Sequence, residues 1–336
     1  MQPKVAVVIL NWNGQRFLEQ FLPSVIQSTY QNLEIVVGDN ASSDDSVEFV
    51  KAYYSQVTII ENDKNYGYAG GYNKILSRVE ADYFVLLNSD VEVVPSWIEP
   101  VISLMEGDNL IAAAQPKLKD FKRKDHFEYA GAAGGYLDKY GYPFCKGRIF
   151  DSLEKDNGQY ETADEIFWAS GAALFIKRNC FDLVGGLDAD LFAHMEEIDL
   201  CWRLKNLGYK VVYCPQSVVY HVGGGTLQSE SPFKTYLNFR NNLAILCKNL
   251  PSDKVFWILF IRFWLDFLAL LKFIAGGKFK SAFSINKAHT QFLLHLSTWT
   301  KKRNSVKSQK PNTNGLWEGS IVWAYFARKK KIFTEL

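Results

Sequence analysis

The chain predicts an α/β fold with a mainly parallel central sheet flanked by helices, and three observations carry that expectation. Apolar runs of strand length alternate with helix-periodic segments through the first hundred residues. Several of these runs stop abruptly in short polar clusters, the pattern of ligand-collecting strand ends in open α/β sheets. The regular texture then breaks off near Gln115.

Val5 to Leu10 is the first strand, Gln15 to Gln27 the first helix, Leu33 to Val37 the second strand and Asp45 to Tyr54 the second helix. A third strand is expected at Val57 to Glu61, a helix from about Gly70 to Val79, and a fourth, fully apolar strand at Tyr83 to Leu87. From Gln115 to Glu165 the Gly, Lys, Asp and Tyr content rises and periodicity fades, which predicts long loops and short antiparallel pieces over the sheet. Pattern resumes at Glu165 to Lys177, Phe181 to Val184, Glu196 to Leu207 and Val211 to Cys214. The expected organisation is a domain over residues 1–230, divided near residue 115, and a helical, apolar and basic extension over 231–336.

In that extension Phe233 to Cys247 reads as a helix, and Val255 to Ala275 is strongly apolar and aromatic. The second segment has the length of a bilayer span, about 20 residues. Arg262, Asp266 and Lys272 lie inside it, however, and Arg262 and Asp266, four apart, share a helix face and can pair. An amphipathic helix lying in a membrane surface is therefore expected in preference to a span, with ordinary core packing as the other alternative. The basic residues Lys278, Lys280, Lys301 to Arg303 and Lys329 to Lys331 are expected to face anionic lipid, the alternative being plain solvated ends. Asn304 to Asn314 reads as a polar, mobile linker.

Of the 336 residues 48% are apolar and 22% charged, a globular balance, and a net charge of +2 gives no reason to expect a nucleic-acid partner. The five cysteines are dispersed without a CxxC pair, which fits reduced thiols in a cytosolic compartment. The first apolar run meets Asn11, Asn13 and Gly14 instead of a small-residue cleavage site, so it reads as a buried strand rather than a signal peptide.

Four polar segments carry candidate chemistry. The fourth strand runs into Asn88-Ser89-Asp90, where oxygen ligands at a strand end suit a divalent metal holding a diphosphate; alone, the triplet reads first as an ordinary turn. Asn11 and Asp39 follow the first two strands at the same sheet edge, and an acidic residue there can accept from a base or a ribose hydroxyl, or simply cap a turn. Asn65 to Asn73 is rich in glycine ahead of a helix, which allows close approach of a phosphate, but it lacks the dinucleotide fingerprint and the Walker lysine. Glu196 and Glu197 begin a helical segment in which Asp199 and Arg203 form an i, i+4 pair. One of the two glutamates can serve as a base, or both can merely complement the helix dipole. His221, at a strand end, enters Gly223-Gly224-Gly225, a candidate metal ligand beside a loop able to close.

Taken together, Val7 to Asn13, Val37 to Asp44, Asn65 to Asn73, Leu87 to Asp90, Trp168 to Ala172, Glu196 to Arg203 and His221 to Gly225 resemble inverting glycosyltransferases of family 2, with the GT-A nucleotide-sugar fold. The similarity is greatest to the bacterial rhamnosyltransferase-like branch acting on cell-surface polysaccharides. It covers roughly residues 4–230.

The resemblance implies that Asn11 and Asp39, with Asn40, hold the nucleoside, that Asn65, Gly70 and Asn73 lie along the donor, and that Asn88 and Ser89 shape the loop or meet the ribose. It implies Asp90 and His221 as ligands of Mg2+ or Mn2+, Trp168 and Gly171 in the acceptor and sugar pocket, and Glu197 as general base with Glu196 as the fallback. Two departures stand out: the metal triplet begins with Asn88 instead of Asp, and the base position holds Glu197 where Asp is frequent.

The implied donor is a dTDP- or UDP-linked sugar, with rhamnose the first expectation. The implied acceptor is a glycan, expected to be lipid-linked at the inner face of the cytoplasmic membrane. A sugar-phosphate nucleotidyltransferase is disfavoured because Asn11-Trp12-Asn13-Gly14 is too short and has no Lys to clamp a triphosphate. A non-catalytic, membrane-associated nucleotide-binding scaffold is the remaining alternative.

Overall fold

A computed structural model describes residues 2–223, 231–303 and 311–336. The expected alternation is present: β1 (Val5–Asn11), α1 (Gln15–Ile26), β2 (Leu33–Asp39), α2 (Ser46–Tyr53), β3 (Thr58–Glu61), α3 (Gly67–Leu76) and β4 (Tyr83–Asn88). There follow β5 (Val91–Val93), α4 (Ile98–Glu106), β6 (Ile111–Asp120) and the short strands β7 (Gly135–Asp138), β8 (Pro143–Cys145), β9 (Arg148–Ile149), β10 (Ser152–Leu153) and β11 (Asp164–Ile166). Next come β12 (Ala173–Lys177), α5 (Arg178–Leu183), α6 (Glu196–Asn206) and β13 (Lys210–His221). The chain ends with α7 (Pro232–Asn249), α8 (Ser252–Ala275), α9 (Phe279–Leu294), α10 (Leu296–Arg303) and β14 (Leu316–Trp317).

The main sheet has the order β11-β13-β6-β12-β4-β1-β2-β3, with β5 also on β13. Strands β3, β2, β1 and β4 are mutually parallel, as the alternation predicts. Beyond β4 the sheet is mixed, because β12 is antiparallel to both β4 and β6. Period-two alternation gives each strand two apolar faces: Val5, Val7 and Ile9 pack with Leu18, Leu22 and Val101 on one side, and Ala6 and Val8 pack with Tyr72 and Ile75 on the other. The strand expected at Val211 to Cys214 continues to His221. Its register breaks between Cys214 and Val218, where Pro215, Gln216 and Ser217 imitate a turn in the sequence.

The patternless stretch after Gln115 folds as a second small sheet, β10-β9-β8-β7-β14, in which β14 from the C-terminal end lies parallel to β7. Helix α7 adds Leu243 to Cys247 to the same buried cluster as Ala6, Val8 and Phe84. The core is thus continuous across residue 230. Residues 304–310 of the expected linker lie outside the described residues, and its end is anchored, with Asn312 N donating to Lys205 O at 2.7 Å.

Helix α8 is polar inward and apolar outward. Arg262 and Asp266 are its buried residues and form the expected pair at 3.1 Å. Tyr142 Oη donates to Asp266 Oδ1 at 3.0 Å, His289 Nε2 lies 3.0 Å from Asp266 Oδ2, and Arg262 donates to Tyr140 O at 3.0 Å. The opposite side exposes Phe256, Trp257, Phe260, Trp264, Phe267 and Leu271. Among the described residues no helix is long and apolar enough to cross a membrane. Two of the basic residues expected to face lipid are instead structural. Lys302 bonds Asp188 and Asp190, and Arg303 donates to Cys247 O at 2.8 Å, because α10 packs back on α7 and needs these contacts.

A buried ionic network fixes α6 against α7. Asp199, fully enclosed, accepts from Arg203 Nε, Lys248 Nζ and Asn249 Nδ2, each at 2.8 Å. Arg203 also donates to Val184 O at 2.6 Å and Gly186 O at 2.7 Å, and Lys248 reaches Asp188 at 2.5 Å. Burial alone would raise the Asp199 pKa, but Arg203 and Lys248 outweigh it and hold the carboxyl well below the usual carboxylate range. Asp199→Ala would leave the buried Arg203 without its counter-charge and Lys248 with Asp188 alone, and should cost about 3–5 kcal/mol in denaturant unfolding at neutral pH. Because the folded pKa is depressed, the contribution is present above the ordinary value of 3.8 and lost as pH falls below it. The difference between wild type and variant should therefore shrink in acid.

Candidate functional site

Parallel register brings the polar strand ends together: Asn11 pairs with Asp39 and Leu10 with Asn88. Asn11 Nδ2 donates to Asp39 Oδ1 at 3.3 Å and Ser42 Oγ at 3.2 Å, while Ser42 N donates to Asp39 Oδ2 at 2.9 Å. Asn11 Oδ1 is buried without a partner. A Cβ at Gly14 would stand 2.5 Å from that oxygen, so glycine lets the loop close over Asn11; Ser89 Oγ is the next side chain across the gap. Asn13 and Ala41, in the loops after β1 and β2, both hold φ above +45°, strain that Asn13 Oδ1 helps secure by accepting from Ser43 N at 2.7 Å.

Four residues expected to touch ligand make contacts within the protein. Asn40 is buried, donating to Asn65 Oδ1 and Gly67 O at 3.0 Å and accepting from Asn62 Nδ2 and Tyr66 N. Its amide is thus fully used in shaping the turn into α3. Gly70 lies inside α3 against Tyr66 and Ala189, because the helix begins three residues earlier at Gly67. Asn73 donates to Leu187 O at 2.7 Å and accepts from Leu187 N at 3.0 Å, tying α3 to the segment before α6. Trp168 is buried, with Nε1 donating to Tyr136 O at 3.0 Å and its ring against Gly135. Asn65 supports the same turn by accepting from Gly67 N at 2.8 Å. Gly171 O accepts from Tyr68 Oη at 2.7 Å, joining α3 to the loop before β12.

At the other end of the triplet His221 Nε2 lies 3.2 Å from Asp90 Oδ1, and His221 Nδ1 lies 3.2 Å from Glu128 Oε1, all three residues being buried. Glu128 carried no signal in the sequence, since it falls in the stretch without periodicity or motif. Burial would lower the His221 pKa, but Glu128 and Asp90 raise it to about 10, so the imidazole is cationic at neutral pH in the metal-free protein. Gly224 and Gly225 of the glycine loop lie outside the described residues. Among the described residues no three His, Cys, Asp or Glu side chains gather in a way that holds a metal ion.

The acidic pair opens α6. Glu196 is buried and Glu197 half-buried, and one carboxylate oxygen of each has no partner. Burial and then the Glu197 charge push Glu196 well above the carboxylate range, and burial raises Glu197 to about 7. The segment before the pair is strained, with φ of 66° at Phe192, 68° at His194 and 73° at Met195. Asn241 of α7 holds it there. Its Nδ2 points at three carbonyls, Leu191 O and Ala193 O at 2.9 Å and His194 O at 2.7 Å. Arg240 adds contacts to Asp190 O and Leu191 O at 3.0 Å. His194 Nε2 is buried and unpartnered, and burial with Lys234 lowers its pKa to about 4.

The profile of Glycosyl transferase family 2 matches residues 6–173, half of the chain. The chain belongs to this family. It is 25% identical over 239 residues to the N-acetylglucosaminyl-diphospho-decaprenol L-rhamnosyltransferase of Mycobacterium tuberculosis, covering 66% of this chain and 76% of that one. The low-salt glycan biosynthesis hexosyltransferase of Haloferax volcanii is 21% identical over 269 residues, covering 76% and 78%.

Among solved structures, the mannosyltransferase of Pyrobaculum calidifontis with GDP-Man and Mn2+ has a TM-score of 0.54 at 17% identity, over 91% of this chain and 85% of that one. GalNAc-T7 with UDP, GalNAc and Mn2+ has a TM-score of 0.57 at 18% identity over 73% of this chain, which spans 48% of the length of that one. The fold of this family 2 glycosyltransferase is accordingly of the GT-A type.

The raised carboxyl pKa values destabilise the folded family 2 enzyme above the ordinary glutamate range. A group whose folded pKa is raised contributes stability below its unfolded value of 4.5 and loses it as pH climbs toward the folded value. Glu196→Gln removes one such carboxylate. It should match wild type near pH 5 and exceed it in stability near pH 8, as read by urea titration.

Proposed function

We propose that this enzyme is a metal-dependent, inverting glycosyltransferase that moves a sugar from a nucleoside-diphosphate donor to a hydroxyl of a lipid-linked glycan, in the synthesis of a cell-surface polysaccharide. The observation that carries this reading is the half-buried Glu197 carboxyl, raised to about 7 on a strained helix start. A base of that pKa is matched to proton abstraction near neutral pH.

Glu197 takes the proton of the acceptor hydroxyl as the acceptor oxygen bonds to the anomeric carbon from the face opposite the departing nucleoside diphosphate. The anomeric configuration is inverted. Glu196, deeper and more strongly neutralised, keeps the pair from carrying two full charges and is the fallback base. Asp39 and Asn11, with Asn11 Oδ1 still lacking a donor, face the base and ribose, and Asn88 and Ser89 line the way to the diphosphate.

The Asp90 and His221 pair fits part of a divalent-cation site. One carboxylate oxygen and one imidazole nitrogen already approach each other, and Glu128 Oε1 stands 3.2 Å from the second nitrogen, placed to accept from it. Bound Mg2+ or Mn2+ would neutralise charge on the leaving diphosphate, whose own oxygens would complete the coordination. The Mn2+ in both structural neighbours supports this assignment.

A rhamnosyl donor carried on dTDP is the first expectation, supported by the mycobacterial relative, and a UDP-hexose the second. The outward aromatic side of α8, flanked by Lys254, Lys278 and Lys280, supports peripheral contact with anionic lipid at the inner face of the cytoplasmic membrane. Residues 231–336 serve as the acceptor- and membrane-facing part, and 1–230 as the catalytic part.

Glu197→Gln should lower turnover by roughly 10²–10⁴-fold while nucleotide binding, read by thermal shift, persists. In the wild type kcat should rise with pH and level off above about 7. Near-wild-type turnover in Glu197→Gln together with loss in Glu196→Gln would transfer the role to Glu196. Glu128→Gln should raise the Mn2+ concentration needed for half-maximal activity by about 10–100-fold. Because the His221 proton must leave before Nε2 can bind a cation, Mn2+ affinity should increase with pH, which calorimetry in buffers of different ionisation enthalpy can check.

A further inference from the structure

An open groove with a volume of about 530 Å3 lies between the first turns of α7 and the N-terminal half of α9. Its walls are aromatic. Phe233 and Tyr236 come from α7, their rings stacked at 6.3 Å, and Phe279 and Phe283, one turn apart on α9, form the other wall. Phe279 and Phe283 are 67% and 69% exposed, so among the described residues a large apolar area stands uncovered. Lys280 and Lys287 line the same groove, Lys287 Nζ lying 5.1 Å from the Tyr236 ring centroid, and among the described residues no acidic side chain lines it.

Its position links two features described above. At one end the Phe233 ring packs edge-on to Phe192 at 6.2 Å, and Phe192 belongs to the strained segment that delivers Glu196 and Glu197. At the other, Phe279 begins the helix that follows the outward aromatic side of α8 by only a short turn.

From this placement we infer that the groove binds the polyprenyl diphosphate portion of the acceptor, with the isoprenoid chain along Phe233, Tyr236, Phe279 and Phe283 and the diphosphate against Lys280 and Lys287. The inference rests on the lipid-linked acceptor reading and deepens it. An aromatic trough suits methyl-branched, unsaturated hydrocarbon, two cations suit a diphosphate, and a groove joining the membrane side to the base-bearing segment brings the first sugar toward Glu197.

The test is photocross-linking of the full chain with a benzophenone-bearing farnesyl diphosphate, followed by peptide mapping. Label is expected on residues 232–240 and 279–287, displaced by a long-chain polyprenyl diphosphate, less by the corresponding polyprenol and not by inorganic diphosphate at equal concentration. Phe283→Ser and Lys287→Ala, both surface changes checked for folding by thermal unfolding, should each lower labelling by about tenfold.

Label confined to residues 252–275, wild-type labelling in both variants, or equal displacement by inorganic diphosphate overturns the inference. Turnover of a lipid-linked acceptor without groove labelling rejects the groove alone. Turnover of lipid-free glycans only rejects the acceptor reading itself.

Discussion

The carboxylate of Asp199 is the charge on which the placement of α6 depends. Enclosed and held ionised by Arg203 and Lys248, it ties α6 to α7 and, through the second and third nitrogens of Arg203, to the backbone at Val184 and Gly186. A buried pair of this kind gains its geometry from several simultaneous bonds, since the desolvation cost is offset only when each lone pair and proton is matched. With α6 fixed at its middle, its first turn can project Glu196 and Glu197 from a segment with three residues in the left-handed region, a conformation that needs outside support. Asn241 provides that support from α7, its Nδ2 aimed at three loop carbonyls, those of Leu191, Ala193 and His194.

Opposite electrostatic designs meet at the sheet edge. At α6, two carboxyls lie in a poor solvent with few donors, so burial drives their pKa values up. Around His221, two carboxylates face one imidazole and the ring is held cationic. The first arrangement makes a carboxyl able to accept a proton near neutral pH. The second keeps a positive charge between two buried carboxylates, where it offsets their mutual repulsion.

Helix α8 buries a charged pair and exposes its largest aromatic side chains. Arg262 and Asp266 turn inward to Tyr140, Tyr142 and His289, which satisfies two charges that would be costly in hydrocarbon. Phe256, Trp257 and their neighbours are left outside. These polar contacts, together with Val255, Ile258 and Leu259 packed on the main core, seat α8 on the domain, and its aromatic side is left exposed.

The sequence by itself determined the βαβ order, the buried strands and the polar residues at their ends, because period-two and helical patterns are local and strand ends coincide with abrupt changes in polarity. It also carried the Asp199 to Arg203 and Arg262 to Asp266 pairs, which helix geometry dictates at a spacing of four. Only the tertiary structure decided where the amides and rings point. Asn40, Asn73 and Trp168 look like ligand residues in a motif but satisfy backbone groups far away in the chain. Glu128 and Asn241 have no motif, yet they reach His221 and the segment before Glu196 from distant parts of the chain. β13 was legible only as far as Cys214, because Pro215 to Ser217 imitate a turn that the pairing with β6 and β5 spans. The reason is common to all of these: a side chain's partner across 30 or 100 residues is set by packing, and packing leaves no local period to read.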